Sequence, residues 1–145
     1  MDELQYQKLG RMYLKAPINR DIFDSTTVSI GQGTAEIGLT LSPIYHHALG
    51  AMHGSVYFKL LDDAAFFAVN SLVQDVFVLT TAFNIHLLRP QSVGKIHAVG
   101  KVRFASKNLW NAESTLYNEA GKELAFGTGD FAKSKVALTE EIGYE

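Results

Sequence analysis

Nine residues after His53, two adjacent carboxylates, Asp62 and Asp63, stand in the middle of an apolar segment. The run from His53 to Ser71 reads as one helix with almost no polar face. Such a helix is buried or nearly so, and Asp is rarely fully buried without a partner. A carboxylate placed there costs free energy and needs a reason. Asp62 falls in the row Phe58–Asp62–Phe66, one helical turn from an aromatic ring on either side. Desolvation between the rings would raise its pKa, and a positioned carboxylate in an apolar cleft can act as a base or a nucleophile. The structural alternative is a buried Asp bonded to a backbone group or to Lys59. Asp63 points about 100° away around the helix. Lys59 lies four residues before it, so these two read as a surface ion pair with a structural role.

The start of the same helix offers a second chemical group. His53-Gly54-Ser55 opens it, and the free N–H groups of a helix start, with the positive end of the dipole, favour an anion or a developing negative charge. The Gly54 N–H could polarise a carbonyl there, or Gly54 could simply permit a tight turn. His53 could contact substrate or bond locally to fix the loop. His46, His47 and His53 fit no zinc-ligand spacing, and the chain has no cysteine, so no metal is expected. Phe23, Tyr45, Tyr57, Phe66 and Phe67 are candidates to line an acyl pocket, or to fill the core as most aromatics do.

These groups need a scaffold. At 145 residues the chain reads as one domain, 1–145, long enough to bury a core. A formal net charge of −2 gives no reason to propose nucleic acid or an anionic membrane as partner. The N-terminus lacks the features of a signal peptide and no stretch reads as a membrane span, so a cytoplasmic protein is the default expectation. Residues about 2–14 suggest a short amphipathic helix ended by Pro17. Thr26–Ile30 and Thr34–Leu41 read as a hairpin about Gly31-Gln32-Gly33, with a loop, Ile44–Met52, leading into the long helix. Phe77–Leu88, Lys95–Ala105, Trp110–Asn118 and Glu123–Lys133 read as four further strands. One long helix with about six mostly antiparallel strands is an α+β arrangement. The sheet is expected to wrap the helix, and self-association, most simply a two-fold dimer, to cover the sheet's outer face and edges.

Several motifs then carry a resemblance. Gly50-Ala51-Met52-His53-Gly54-Ser55, Leu60-Leu61-Asp62, Ala68-Val69-Asn70-Ser71, Phe83-Asn84-Ile85-His86-Leu87-Leu88-Arg89-Pro90 and the stretch from Gly121 to Gly129 follow one another in order. Together they resemble the hotdog-fold acyl-CoA thioesterases of the phenylacetate-pathway (PaaI-like) type, over about residues 35–133. Two positions depart from that pattern: His47 stands where the family has Asn, and Ser55 stands at the second Gly of a Gly-Gly pair. The resemblance implies hydrolysis of an acyl-CoA to free acid and CoA, with Asp62 as base or nucleophile and the Gly54 N–H on the thioester carbonyl. It implies that these two come from opposite subunits of a homodimer or homotetramer. It also implies that a hydroxyl near Thr80 holds the attacking water or the carboxylate. His53 joins Asp62, Gly54 and Thr80 as a catalytic candidate. His47, Ser55, Phe66, Arg89, Lys107 and Asn108 are substrate-binding candidates, the last three at strand ends where CoA phosphates bind in such folds. No cofactor is implied, CoA arriving as part of the substrate. The alternatives are a non-catalytic acyl-CoA-binding module, for which His47 is the motivating feature, and a hotdog dehydratase or hydratase using His53 or His47.

Overall fold

A computed structural model of the protein describes residues 2–145. Helix α1 (Asp2–Lys15) precedes strands β1 (Thr27–Gly31) and β2 (Thr34–Thr40). The long helix α2 (Gly54–Asn70) follows, then β3 (Val76–Leu87), β4 (Lys95–Ala105), β5 (Trp110–Asn118) and β6 (Glu123–Ala137). The six strands form one antiparallel sheet in the order β1-β2-β4-β5-β6-β3. The expected α+β class and strand count are therefore observed, with element ends moved by a residue or two and β6 running four residues further than the apolar pattern suggested.

Side chains alternate across the strands as a one-sided core requires. On β2, Ala35, Ile37 and Leu39 are buried between exposed neighbours. They meet Leu60, Leu61, Ala64 and Ala68 of α2, with Ile96, Ala98, Leu116 and Leu124 from β4, β5 and β6. Two contacts fix how α2 lies on the sheet. Gly100 of β4 faces the Ala64–Ala65 backbone so closely that any Cβ would collide with it. Ser114 of β5, fully buried, donates its hydroxyl to the Leu61 carbonyl at 2.7 Å. The helix is thus seated on the middle strands by one missing side chain and one buried hydroxyl.

The sheet wraps the helix on the side of its strands, as expected, and leaves the other side to a second cover. The face of α2 turned away from the strands is covered by α1 and by a five-residue π-helical turn, Ile18–Ile22, that follows Pro17. Leu9, Met12 and Tyr13 of α1 and Asn19 of the π turn are buried there. A single-layer sheet of six strands is too narrow to close around a helix, so the remaining apolar surface needs a second cover. The amphipathic segment at 2–15 supplies it.

The two edge strands differ. β1 is five residues long, whereas β3 is twelve and pairs only with β6, leaving its other side without a strand among the described residues. β3 also carries two irregularities in register, at Val76–Val78 and at Thr80–Ala82. Among the described residues no helix is long and apolar enough to cross a membrane.

Candidate active site

The β3 edge runs antiparallel alongside α2, and their contacts match turn for turn. Phe77 meets Phe66 with ring centroids 5.1 Å apart. The Thr80 hydroxyl donates to Asp62 Oδ1 at 2.8 Å. Phe83 meets Phe58 edge-on at 5.5 Å. Leu87 Cδ1 lies 3.6 Å from where a side chain on Gly54 would begin. Strict alternation would turn Thr80 and Phe83 to opposite faces. The extra residue between Thr80 and Ala82 resets the count, so both face the helix, a use to which bulges near active sites are often put. Phe83 lies over Gly127 and Gly129 of β6, where a Cβ would meet its ring at 2.6 Å. The Gly-x-Gly of the last hairpin is a seat for that ring.

Asn70 holds the turn that aims β3. It is completely buried, accepts from the Val78 N–H at 3.1 Å and donates to the Val73 and Val76 carbonyls at 3.1 Å each. Three backbone groups of a tight connection are thereby satisfied by one side chain.

Asp62 is half-buried. Desolvation pushes its pKa up to about 6; the Thr80 hydrogen bond and the Lys59 charge pull it down, and neighbouring Asp63 adds to the rise. Oδ1 is held by Thr80. Oδ2 accepts no hydrogen bond from any described residue, yet it is not among the buried unsatisfied atoms. It therefore reaches solvent. The arrangement is a carboxylate oriented through one oxygen, in the Phe58–Asp62–Phe66 row of α2 where that row meets β3. The hydrogen-bond partner of Asp62 is Thr80, in place of the backbone group or Lys59 expected for a purely structural carboxylate, a contact that by itself leaves both readings of Asp62 open.

Asp63 belongs to a different cluster. Its Oδ2 accepts from Lys59 Nζ at 2.8 Å and from the Tyr13 hydroxyl at 2.5 Å. Lys59 Nζ also donates to Asn19 Oδ1 at 2.7 Å and lies over the rings of Phe23 and Tyr13. The expected pair exists but not at the surface: the two side chains are only 13% and 20% exposed, because α1 and the π turn close over them. Burial, then Asp63, pushes the Tyr13 phenol far above its ordinary range, so it remains a donor. No sequence signal marked Tyr13 or Asn19, which lie well before the helix and reach it only through the chain reversal at Pro17.

At the start of α2, His53 is the N-cap. Its Nδ1 accepts from the Ser55 N–H at 3.0 Å, with the Ser55 hydroxyl 2.8 Å from the same nitrogen. The local role of His53 is thus observed, and Ser55 is engaged with it. The Gly54 N–H has no partner among the described residues. Gly54 and Asp62 are eight residues apart, about 12 Å along a helix, so one chain does not bring them together.

His47 Nδ1 accepts from the Leu49 N–H at 3.1 Å, which leaves the ring proton of the neutral form on Nε2. His46 Nε2 lies 2.7 Å from the Ser92 carbonyl. No cluster of metal-ligating residues exists among the described residues. Arg89 is exposed and reaches the Glu123 carbonyl at 3.4 Å. Lys107 and Asn108 are exposed in the β4–β5 turn. The register places Leu87 opposite Ala125, at the Asn118 end of the sheet, and Trp110 opposite Phe131 at the other. Arg89 and the Lys107–Asn108 pair therefore lie at opposite ends, roughly the length of β5 apart, about 30 Å. They do not form one patch within a chain.

No curated protein matches the chain. Solved structures do. The PaaI protein from the phenylacetic acid degradation operon of E. coli superposes with a TM-score of 0.84 at 22% identity, over 95% of this chain and 99% of that one. A conserved protein from Pseudomonas aeruginosa gives 0.71 at 27% identity, over 76% and 87%. A thioesterase from Haemophilus influenzae gives 0.77 at 16%, over 88% of each. The fold is the hotdog fold, with α2 as the helix against its sheet. The family model for the thioesterase superfamily matches residues 49–125, which is more than half of the chain and runs from the loop before α2 to the start of β6. With the helix, its carboxylate and the strand beside it all inside that match, the chain belongs to the thioesterase superfamily.

Proposed function

We propose that this protein hydrolyses acyl-CoA thioesters to the free acid and CoA, with Asp62 as the group that delivers the attack. The observation that carries the reading is Asp62 itself: half-buried in the Phe58–Asp62–Phe66 row, oriented by Thr80 at 2.8 Å, with Oδ2 accepting no hydrogen bond from any described residue. In its ionised form Asp62 takes a proton from water as the water oxygen bonds to the thioester carbonyl, or bonds to that carbon directly and is then released by water. The C–S bond breaks and CoA leaves as the thiol. An N–H donor to the carbonyl oxygen stabilises the charge that develops, worth a few kcal/mol where the donor is preorganised.

Gly54 is the donor this reading assigns, from a second copy of the chain. The 12 Å or so along α2 separates the two groups within one copy. The long, unpaired β3 edge is what another β3 can extend into a continuous sheet, a way of removing an exposed edge. Because Thr80 of β3 bonds Asp62, a partner on that edge lies next to the carboxylate. CoA phosphates find Arg89 at one end of the sheet and Lys107–Asn108 at the other, so in this reading they too are divided between copies.

The test follows free thiol during incubation with acetyl-, butyryl-, octanoyl-, phenylacetyl- and benzoyl-CoA. The protein has no cysteine and adds no background. Expected is turnover on at least one ester, with kcat in Asp62→Asn lower by about a hundredfold or more. Thiol release that survives in folded Asp62→Asn would remove Asp62 from the chemistry. Binding without release on any ester would instead support the acyl-CoA-binding module.

A further inference from the structure

The register in which a second copy pairs with β3 follows from the residues a shared site must bring together, an inference that rests on the reading of Asp62 and the partner's Gly54 as one site. Within one copy, β3 carries a neighbour of each group. Thr80 bonds Asp62, and Leu87 lies 3.6 Å from where a side chain on Gly54 would begin. Asp62 therefore meets the partner's Gly54 when Thr80 lies opposite the partner's Leu87. A two-fold axis makes such a ladder antiparallel, and directly opposite residues in it share a face. Thr80, Phe83, Ile85 and Leu87 share the helix face of β3, opposite Phe131, Gly129, Gly127 and Ala125 of β6. Ala82, Asn84 and His86 are exposed on the other face.

In a regular strand these demands conflict. Thr80 and Leu87 are an odd number of residues apart, so opposing them would set Phe83 of the helix face against Asn84 of the other. The bulge removes the conflict. Pairing with β6 steps from Thr80–Phe131 straight to Ala82–Asp130, so Thr81 is the extra residue. With Thr81 left out of the count, Asn84 is the midpoint between Thr80 and Leu87. We infer that β3 pairs with the β3 of a second copy about a two-fold axis at Asn84, and that the bulge at Thr81 sets this register. Phe83 then opposes the partner's Ile85, an aromatic against a β-branched residue. The small Ala82 opposes the partner's His86. Asn84 meets the partner's Asn84, and each amide offers both a donor and an acceptor. Moving the axis to Phe83 sets Thr80 opposite the partner's Ile85; moving it to Ile85 sets Thr80 opposite the partner's Arg89. Either shift carries the partner's Gly54 about 7 Å along the strand, away from Asp62.

The chain has no cysteine, so single cysteines report the register. Directly opposite Cα atoms of an antiparallel ladder lie about 4.5–5.5 Å apart, within a disulfide's span. Asn84→Cys is therefore expected to form a covalent dimer on mild oxidation with copper phenanthroline, read on a non-reducing gel. In this register residue 82 and residue 86 each lie about 13 Å from the same residue of the partner, beyond a disulfide's reach. Ala82→Cys and His86→Cys should each self-link slower than Asn84→Cys by about tenfold or more. Co-expressed under different tags, the two should link to each other. Faster self-linking of Ala82→Cys or His86→Cys than of Asn84→Cys overturns the register. So does a protein that stays monomeric, or a dimer by light scattering that none of these cysteines links. Should Asn84→Cys fail to fold by circular dichroism, the co-expressed pair decides by the same gel. Cross-linking is read without substrate, so the two layers of the reading separate. If the links follow this pattern and no ester is turned over, the register stands and the hydrolase reading falls. If turnover depends on Asp62 and the links follow another pattern, the hydrolase reading stands and the register falls.

Discussion

Asp62 shows how a carboxylate is tuned by what surrounds it. Burial removes water and raises its pKa; the Thr80 hydroxyl bonds the ionised form and lowers it. The balance, about 6, leaves the group ionised above mildly acidic pH. Activity that needs the carboxylate therefore rises with pH through about 6 and levels off above it. Thr80→Val removes the one hydrogen bond that favours the charged form, so the acid limb of the kcat/KM profile should move to higher pH. A Thr80 that merely fills space would change the rate and leave the limb where it is. Asp63, one residue on, faces Lys59, Tyr13 and Asn19 and is compensated by them. Two identical side chains thus have different surroundings because the helix turns about 100° between them.

Placing Thr80 requires the connection between α2 and β3 to be stiff. Asn70 supplies that by satisfying three backbone groups at once in a site with no access to water. Asn70→Ala leaves the Val78 N–H and two carbonyls without their partner. The loss should be about 2–4 kcal/mol, since each unsatisfied buried group costs roughly 1–3 kcal/mol and the set relaxes together. Urea denaturation measures it; a loss below 0.5 kcal/mol would mean the turn holds itself. The β3 bulge makes a second contribution, keeping Thr80 and Phe83 on one face. On the far side of α2 the π turn does similar service, turning Asn19 inward to Lys59. Such turns are rare and often occur at functional sites.

Taken as a molecule, one copy holds half of what the proposed chemistry uses. Asp62 and Gly54 are a helix half-length apart, and the β3 edge beside Asp62 has no strand on its outer side among the described residues. Light scattering is expected to show at least two copies at micromolar concentration. A strict monomer with full hydrolytic activity would refute the shared site. A dimer would also cover exposed Leu79 and Leu87 on β3.

What was legible in the sequence were the features that local chemistry dictates. Apolar runs and Gly-bearing turns marked α2 and the six strands because periodicity reflects which side of an element meets the core. The isolation of Asp62 between Phe58 and Phe66 followed from the helical repeat alone, and the motif order around it pointed to the superfamily. What folding alone could settle were contacts between segments far apart in the chain. The Thr80–Asp62 bond depends on a bulge, which shifts register without leaving a mark in the residue pattern. Burial of the Lys59–Asp63 pair depends on α1 and a π turn folding back over α2. The separation of Arg89 from Lys107 and Asn108 depends on strand register. Each is a distance between residues remote in sequence, fixed by how the elements pack and not by their own propensities.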